Sequence, residues 1–555
     1  MGELLFVNGR IFTGLGAPEC DALAIRDGLV TAVGRSKDLR ELITPSTQVV
    51  DLGERRVVPG LIDSHIHAIR AGATWRRRVD WSGVTSLPAA LDLVRDAAAT
   101  RQGQWVAVVG GWHPGQFDER RAPTPAELTA AAPDNPVYVQ LLYESALLND
   151  AGLAAAGIDR DTADPPNSVF ARDHTGAPTG HANGRGAFSH VLGLIPEPDL
   201  EERVAGTRAF LTRLSSLGLT GVVDPGGGAV DATAYRAVYE LWRREPLPAR
   251  VRMYMSNSST PRGQELAKAG EFVRYLHPGF GDEYLRFVGM GEKLVNAFGD
   301  GEGLNAITVR EEDRDTLREV SLLLLENGWP AHIHAIRRET VTAVLDVWEQ
   351  VAETISLTGA RFSLAHADAI SDRDLARVKR LGVGIAVQDR LVFRSADSTA
   401  AWGQEIGAAA PPLRAMLDLG IPIGGGTDAT AVTSYNPWLS LWWMVTGKSV
   451  DGAPPRSAQQ RLSRAEALHA YTAGSAWFSF DEGKRGSLAP GMLADLAVLS
   501  EDYFAVSDDA IPAIESELTL VGGRVVHRGG SFTSTFPDAA AAAPGVCIRS
   551  HITPT

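Results

Sequence analysis

Cysteine is almost absent from this sequence. Cys20 and Cys547 are its two cysteines in 555 residues, they lie far apart, and neither belongs to a Cys-x-x-Cys pair. A disulfide framework needs several cysteines and a thiolate metal site needs them close together, so we expect neither. With 44% hydrophobic and 22% charged residues the chain can instead bury a sizeable core, and its length indicates more than one structural unit.

Two further features are missing, namely an excess of basic residues and a long apolar run. The 53 basic residues are outnumbered by 67 acidic ones, the net charge is -14, and no basic block is present. This balance argues against a nucleic-acid or anionic-membrane partner, so we expect a small-molecule substrate. The start of the chain lacks a basic leader with an apolar core, and no later run reaches membrane-spanning length. We therefore expect a cytoplasmic protein and, if the chain self-associates, a homodimer.

Two histidines end an apolar run that is typical of a buried strand. His65 and His67 follow residues 57–64, and at this spacing both imidazoles leave the same face of a strand. One cation at the end of that strand could take a nitrogen from each, although the pattern alone suits two structural histidines equally well. Three later strand-like runs also end in possible ligands: His334, His366 and Asp428.

Several longer motifs accompany these residues. They are FVNGRIFTG at 6–14, PGLIDSHIH at 59–67, PTPAEL at 123–128, HAIRRE at 334–339, GTDA at 426–429 and GSLAPGMLADLAVLS at 486–500. Together they resemble the amidohydrolase superfamily of metal-dependent TIM-barrel hydrolases, and within it the long branch typified by N-substituted formamide deformylase. The resemblance covers nearly the whole chain.

The predicted fold class is α/β. Strand and helix signals alternate through the middle of the chain, which favours a parallel sheet. The resemblance implies a (β/α)8 TIM barrel with a composite β-sandwich formed by both chain ends and a long insert after the first barrel strand. The predicted division is 1–58 with 480–535 for the β-sandwich, 59–479 for the barrel, 68–217 for the insert or lid, and 536–555 for a poorly ordered tail.

The resemblance also implies a ligand set for a divalent cation. It assigns His65 and His67 to the first metal position, His334 and His366 to the fifth and sixth strands, and Asp428 to the eighth. Asp428 would both contact the metal and accept the proton of the attacking water. Imidazoles with a carboxylate suit zinc, although iron or manganese could occupy the same ligands.

Lys293 decides whether one or two cations are expected. Relatives often carry a lysine here that can be carboxylated to bridge two metals, and the alternative is a lysine that pairs with a carboxylate or orients the substrate. Glu292, its neighbour, would point to the other face of a regular strand, so both could be ligands only at a bulge. The sequence therefore leaves a mononuclear and a binuclear site open.

Substrate choice is expected to depend on the insert, because loops that follow barrel strands lie at the catalytic face. Trp112, His113 and Tyr143 are the candidate substrate-binding residues. The structural alternative is that the two aromatic side chains pack inside the insert and that His113 is a packing or surface histidine.

Three functions are compatible with these motifs. The favoured one is a metal-dependent hydrolase that cleaves a non-peptide C–N bond of an amide or substituted formamide. A deaminase of a cyclic amidine is less favoured, because such enzymes usually carry a glutamate three residues after the fifth-strand histidine, where this chain has Arg337. A catalytically silent binding homologue is the third, and the intact ligand set argues against it.

Overall fold

The protein is a mixed α/β chain, and the computed structural model describes residues 3–227 and 234–536. The predicted tail falls, from residue 537 onward, outside the described residues, as does Cys547. No helix in the described part of the chain has both the length and the apolar character needed to cross a membrane.

The strands are numbered in chain order. They are β1 Glu3–Val7, β2 Arg10–Ile11, β3 Ala22–Arg26, β4 Leu29–Gly34, β5 Thr47–Asp51, β6 Arg56–Pro59, β7 Leu61–Asp63, β8 Val106–Val109, β9 Val137–Leu141, β10 Ser145–Leu148, β11 Val169–Arg172, β12 Pro178–Asn183, β13 Leu219–Asp224, β14 Arg250–Met255, β15 Leu285–Met290, β16 His332–Ala335, β17 Ser363–His366, β18 Gly384–Gln388, β19 Ile423–Gly426, β20 Leu496–Leu499, β21 Ser516–Val521 and β22 Arg524–Arg528.

The α-helices are numbered in the same way. They are α1 Ser36–Leu39, α2 Ala68–Thr74, α3 Leu87–Thr100, α4 Pro125–Ala131, α5 Asp150–Ala156, α6 Arg185–Leu192, α7 Leu200–Ser216, α8 Arg236–Arg244, α9 Glu265–Tyr275, α10 Glu311–Glu326, α11 Arg338–Ala352, α12 Asp372–Leu381, α13 Leu391–Trp402, α14 Gln404–Ala409, α15 Leu413–Asp418, α16 Pro437–Thr446, α17 Arg464–His469, α18 Ser475–Phe478 and α19 Phe532–Thr535.

Local sequence explains where the larger helices begin and end. The Asp199 side chain accepts a hydrogen bond from the backbone N–H of Glu202 and so caps the start of α7. Ser371 caps α12 in the same way, and that helix ends at Gly382, whose left-handed backbone costs little without a Cβ. The apolar faces of these helices pack on the central strands.

Two four-stranded parallel sheets form the centre of the molecule. Their orders are β15-β14-β13-β7 and β16-β17-β18-β19. Single backbone hydrogen bonds join their edges on both sides, from Met290 N to Pro330 O and from Ser64 N to Gly425 O, each at 2.9 Å. Most residues of these strands are buried, as expected where both faces of a parallel sheet are covered. The carboxyl ends of strands from both sheets therefore meet.

Strands from the two ends of the chain share one further sheet. Its order is β2-β6-β20-β21-β22, and β6 pairs antiparallel with β20. A separate four-stranded sheet, β4-β3-β1-β5, contains N-terminal strands alone. Apolar residues of both sheets, including Phe6, Val57 and Leu496, pack in one buried cluster.

The segment between β7 and β13 has a sheet of its own. It is five-stranded, with the order β11-β12-β10-β9-β8. Two buried apolar clusters lie within this segment, one of them around Trp81, Trp112 and Phe117. Other residues of the segment, such as Ile69 on α2 and Phe210 on α7, belong to the main buried cluster, so the segment has cores of its own and also packs on the central strands.

Buried arginines and aspartates connect the amino ends of the central strands to the C-terminal segment. Asp495 accepts hydrogen bonds from Arg250 at 2.9 and 3.0 Å and from Arg485 at 2.7 Å. Asp481 accepts from Arg252 at 3.1 and 3.2 Å and from Arg485 at 3.3 Å. We call these five side chains the arginine–aspartate network; all five are buried.

Candidate metal centre

Four histidines and two carboxylates converge at the carboxyl ends of the central strands. Overlapping groups of them place one ligand atom each within 4.8 Å of one another: His65 with His366 and Asp428, His65 with His67 and Glu292, and Glu292 with His334 and His366. All six side chains are buried. We call these six residues the histidine–carboxylate cluster.

His65 and His67 follow β7, and each presents Nε2 to the cluster. Nδ1 of His67 lies 2.9 Å from the Gly226 carbonyl oxygen, which fixes its ring, and Nε2 lies 3.0 Å from Asp428 Oδ1. Nδ1 of His65 lies 2.9 Å from Nε2 of His332. Such contacts behind a ligand set the tautomer and orientation of its ring. His332 therefore lies behind His65 and orients it.

Glu292 lies between the two groups of histidines. Its Oε1 is 3.6 Å from His67 Nε2, and its Oε2 is 3.7 Å from His65 Nε2 and 3.1 Å from His334 Nδ1. The other nitrogen of His334, Nε2, lies 3.0 Å from Asp300 Oδ1. His334 thus faces the cluster with Nδ1 while the Asp300 carboxylate orients the ring from outside.

His366 and Asp428 enter the cluster from left-handed backbone. Their φ angles are 71° and 57°, a region that non-glycine residues seldom occupy and that costs roughly 1–3 kcal/mol. His366 Nε2 lies 3.1 Å from His334 Nδ1, and Asp428 Oδ1 lies 3.5 Å from His65 Nε2. Strain of this kind, held at the ends of two strands, is typical of functional sites.

The electrostatics of the cluster favour a positive charge at its centre. Burial alone would raise the pKa of Asp428, but the nearby imidazoles of His65 and His67, the latter at 3.0 Å, outweigh burial and lower it. Burial also lowers the pKa of His366, so its ring is neutral and able to coordinate. Burial would lower the pKa of His334 as well, yet hydrogen bonds with Asp300 and Glu292 raise it to about 9. The carboxylates around His334 therefore stabilise a positive charge on its imidazole ring.

The residues present fit a divalent cation. In the described part of the chain, His65 Nε2 and His366 Nδ1 are buried without a hydrogen-bond partner. A buried polar atom without a partner is costly, and a cation among Nε2 of His65 and the neighbouring carboxylate oxygens would remove that cost. Imidazole nitrogens with one or two carboxylates are the donor set that zinc takes in catalytic sites.

The structure corrects the expectation for Lys293. It is Glu292 whose carboxylate meets the histidines, and among residues 3–227 and 234–536 no hydrogen bond or ion pair joins the Lys293 ammonium to them. Nζ of Lys293 instead lies 2.7 Å from the position that a Cβ on Gly299 would occupy. The resemblance pointed to Lys293, and strand alternation then excluded its neighbour Glu292; that argument does not apply, because β15 ends at Met290 and both residues lie beyond it.

The three substrate-binding candidates lie in different surroundings. Trp112 is fully buried, packs edge-on against Trp81 at 5.0 Å and donates to the Gln140 carbonyl, so it belongs to the insert core. His113 accepts from Gly115 N at 2.9 Å and caps a short turn. These two positions match the structural alternative and correct the pocket assignment. Tyr143, by contrast, lines a cavity of about 930 Å³ beside the cluster.

Comparison with known proteins identifies the family. The family model described as "Amidohydrolase family" matches residues 48–527. The chain belongs to the amidohydrolase family. It is 27% identical over 550 residues to amidohydrolase YtcJ of Bacillus subtilis (strain 168), a match that covers 95% of this chain and 99% of that protein. Members of this family are metal-dependent hydrolases of carbon–nitrogen bonds, and this amidohydrolase is one of them.

Two further similarities extend this result. N-substituted formamide deformylase of Arthrobacter pascens is 25% identical over 541 residues, covering 94% of this chain and 98% of that protein. The crystal structure of a metal-dependent hydrolase from Pyrococcus furiosus superposes with a TM-score of 0.65 at 23% identity, covering 90% of this chain and all of that one. At that identity the superposition supports the fold alone.

Proposed function

We propose that this amidohydrolase cleaves a small amide or substituted formamide with water activated by divalent cations in the histidine–carboxylate cluster. The observation that carries the proposal is the convergence of four histidines and two carboxylates, with Nε2 of His65 unpaired among carboxylate oxygens. The similarity to N-substituted formamide deformylase over nearly the full length supports the substrate class. Zinc is the cation that this donor set favours.

We infer that the two parallel sheets close into a (β/α)8 barrel. The hydrogen bonds that join their edges at Met290 and Ser64 support this closure. We also propose that residues 1–58 and 480–535 form one domain beside the barrel, which the pairing of β6 with β20 supports. Residues 68–217 would then cover the catalytic face as a lid.

A cation in the cluster would supply Lewis acidity to the substrate carbonyl and would lower the pKa of a water molecule. We assign the base to Asp428, because its carboxylate is ionised and lies among the histidines that would hold the attacking water. The water oxygen forms the new bond to the carbonyl carbon, and the C–N bond breaks. Asp428 then returns the proton from its carboxylate oxygen to the leaving nitrogen, so the products are a carboxylic acid and an amine.

We propose that the cluster holds two cations with Glu292 between them. The two oxygens of Glu292 face different histidines, Oε1 toward His67 and Oε2 toward His334. A carboxylate in that position could help to hold both cations, the role that the resemblance gave to a carboxylated Lys293 as one of two alternatives. On this proposal Lys293 needs no modification.

Deamination remains the less favoured activity. The position where such enzymes carry a proton-shuttling glutamate is Arg337, whose guanidinium donates to the carbonyls of Gly303 and Leu304 at 3.3 and 3.2 Å. An arginine cannot give up a proton at neutral pH, so it cannot shuttle one to leaving ammonia. Amide hydrolysis needs no group at that position.

The test is a screen of amides, substituted formamides, N-acyl amino acids and lactams. The protein is assayed as purified, after chelation, and after reloading with zinc, iron or manganese. Release of amine and carboxylic acid that disappears on chelation and returns with metal is the expected result. Ammonia release from cyclic amidines with no amide hydrolysis would establish the deaminase instead.

Glu292→Gln and Lys293→Met form a matched pair for the two-cation proposal. Loss of a bridging ligand should reduce bound metal from about two ions per chain toward one in Glu292→Gln. Lys293→Met should keep full metal content, because the wild-type amine makes no contact with the histidines. Loss of one ion in Lys293→Met, with unchanged metal content in Glu292→Gln, would show that Lys293 and not Glu292 is the residue shared by the two cations.

A further inference from the structure

The cavity beside the cluster is strongly basic in a protein of net charge -14. Its volume of about 930 Å³ is within the range of small-molecule sites. Among the described residues that line it, Glu197 is the one acidic residue and six are arginines: Arg70, Arg77, Arg78, Arg101, Arg185 and Arg203. An anionic ligand would therefore be favoured inside it.

Two of these arginines are already neutralised. Arg77 is paired with Glu202, and Arg203 lies 3.0 Å from Glu197. Within residues 3–227 and 234–536, Arg78, Arg101 and Arg185 have no carboxylate within 4.0 Å. Arg101 donates to two backbone carbonyl oxygens, those of Arg76 and Arg77. Arg185 lies over the Tyr143 ring, 5.3 Å from its centroid. The positive charge of the cavity thus exceeds the negative charge that faces it.

Arg78 is the arginine best placed to hold a ligand. Its Nε donates to Thr74 Oγ1 at 2.7 Å and its Nη1 to Thr430 Oγ1 at 2.8 Å. Two neutral hydroxyls fix the guanidinium, and the charge of Asp80 acts on it without an ion pair within 4.0 Å. A guanidinium has five N–H donors, so three remain without a partner in the described part of the chain. Burial lowers the pKa of Arg78 to about 10, and nearby Arg70 adds to this effect.

Thr430 connects this arginine to the reacting centre. It lies two residues after Asp428, and its hydroxyl accepts the Arg78 hydrogen bond. The cavity wall also contains Tyr143, Gln140 and Phe188, which offer polar contacts and an aromatic surface. A molecule that fills the cavity can therefore reach from Arg78 toward Asp428, the proposed general base.

We propose that the amide substrate carries a carboxylate on its non-reacting part and that Arg78 binds this carboxylate inside the cavity, with Arg185 at the exposed edge. A planar guanidinium matches a carboxylate with two parallel hydrogen bonds. Substrates of the N-acyl amino acid type have this arrangement, an amide and a carboxylate separated by a few bonds. The inference rests on the proposed function for the cleavage of the amide, whereas binding of the carboxylate by Arg78 does not depend on it.

The experiment measures binding separately from turnover. An N-acetyl amino acid, its neutral carboxamide and its phosphonate analogue are titrated by calorimetry into metal-free and zinc-loaded protein. Charge-assisted hydrogen bonds should make the carboxylate bind at least about tenfold more tightly than the carboxamide. Equal affinity would overturn the proposal, and tighter binding of the phosphonate would assign the cavity to phosphate-like groups instead.

Variants then locate the contact. Arg78→Met should abolish the preference for the carboxylate, while Arg203→Met, on the same wall but paired with Glu197, should keep it. Arg185→Met, on an exposed side chain, should weaken the preference by about threefold to tenfold, as expected for one charged contact near solvent. If Arg78→Met fails to fold, the single variants Arg78→Lys and Arg185→Met are measured instead. An unchanged preference for the carboxylate in both of them would refute the assignment.

The two proposals can fail independently. If no amide is hydrolysed but the carboxylate preference and its loss in Arg78→Met are measured, the binding site stands and the reaction is wrong. If neutral amides are hydrolysed in a metal-dependent reaction and as fast as their carboxylates, the reaction stands and the inference is wrong.

Discussion

At the amino end of β14, buried arginines meet aspartates in complete hydrogen bonds, whereas at the carboxyl ends of the same sheets histidines and carboxylates leave polar atoms unpaired. In the arginine–aspartate network, Asp495 accepts from Arg250, Arg485 and the Gly522 backbone at 2.6–3.0 Å. In the histidine–carboxylate cluster, His65 Nε2 lies 3.5 and 3.7 Å from carboxylate oxygens and bonds to neither. One end is satisfied by the chain alone, and the other needs a ligand.

The difference shows which groups stabilise the fold and which serve chemistry. Buried charges that satisfy each other hold segments together, and removing one partner leaves the other uncompensated. Buried groups that remain unpaired are tolerated where a ligand completes them. In parallel α/β barrels the catalytic residues lie at the carboxyl ends of the strands, and the unpaired groups of this protein lie there too.

The most severe test of this contrast removes ligands from the cluster. His65→Ala combined with His67→Ala should eliminate bound metal and activity, because two of the six donors disappear, while the fold remains because the arginine–aspartate network is left intact. Metal analysis and circular dichroism check this. His113→Ala, a histidine outside the cluster, is the control and should keep its metal. Full metal content in the double variant would show that the ligands lie elsewhere.

A smaller change should affect chemistry alone. Asp428→Asn keeps the shape of the side chain but removes its ability to accept a proton, which typically costs about 10² to 10⁴ in rate. We expect kcat to fall by this factor, with the melting temperature little changed. Turnover within a few-fold of wild type, at full metal content, would remove Asp428 from the role of base.

The opposite pattern is expected at the other end of the strands. Asp495→Asn leaves buried Arg250 without its paired carboxylate and Arg485 with Asp481 alone, so it should reduce the free energy of unfolding by about 3–5 kcal/mol. Metal content and kcat of the folded fraction should be unchanged. The control is Asp509→Asn, whose exposed pair with Lys448 at 2.7 Å should contribute less than about 1 kcal/mol. Equal losses in the two variants would mean that burial does not set the strength of the network.

Acid should weaken the interaction of Asp495 with its arginines by protonating the carboxylate, with a smaller loss of stability than the substitution. Burial would raise the pKa of Asp495, but Arg250 and Arg485 lower it from 3.8 to about 2. Because the folded pKa is the lower one, this stabilisation is complete above about pH 4 and disappears as the pH falls toward 2, a difference of roughly 2 kcal/mol. Denaturant unfolding at pH 4 and pH 2 should show this decrease in wild type and a smaller one in Asp495→Asn. Identical decreases would exclude Asp495 as its source.

The sequence predicted the family and the α/β class, and both are confirmed. The structure brings His65 and His67 together as their spacing predicted, although both lie beyond β7, which ends at Asp63. Glu292 was set aside because alternation was carried past the end of β15. Position in a loop depends on the contacts that the loop makes, such as the hydrogen bond from His334 N to Glu292 O at 3.0 Å, and these are not visible in sequence.

The basic cavity could not be predicted for a related reason. Its arginines come from separate helices and loops of the insert. The run Arg76-Arg77-Arg78 supplies two of them, but nothing in the sequence shows that the distant Arg101 and Arg185 join them. Trp112 was a candidate for the pocket wall but lies in the core of the insert. An aromatic residue in an insert suits either place equally well until its neighbours are known. Its place between Trp81 and Phe117 was decided by tertiary packing.

The junction of the first and last central strands affects how the protein can be made. Asp63, at the end of β7, accepts a hydrogen bond from the Thr427 hydroxyl at 2.7 Å, across 364 positions of the chain. At the usual rate of translation those positions take about 20–70 s to emerge from the ribosome. During that time β7 and the histidines after it have no partner for this contact, and exposed strand edges favour aggregation. We therefore expect chaperone protection, or a fast-folding insert that shields the first donors, to increase the yield of folded enzyme.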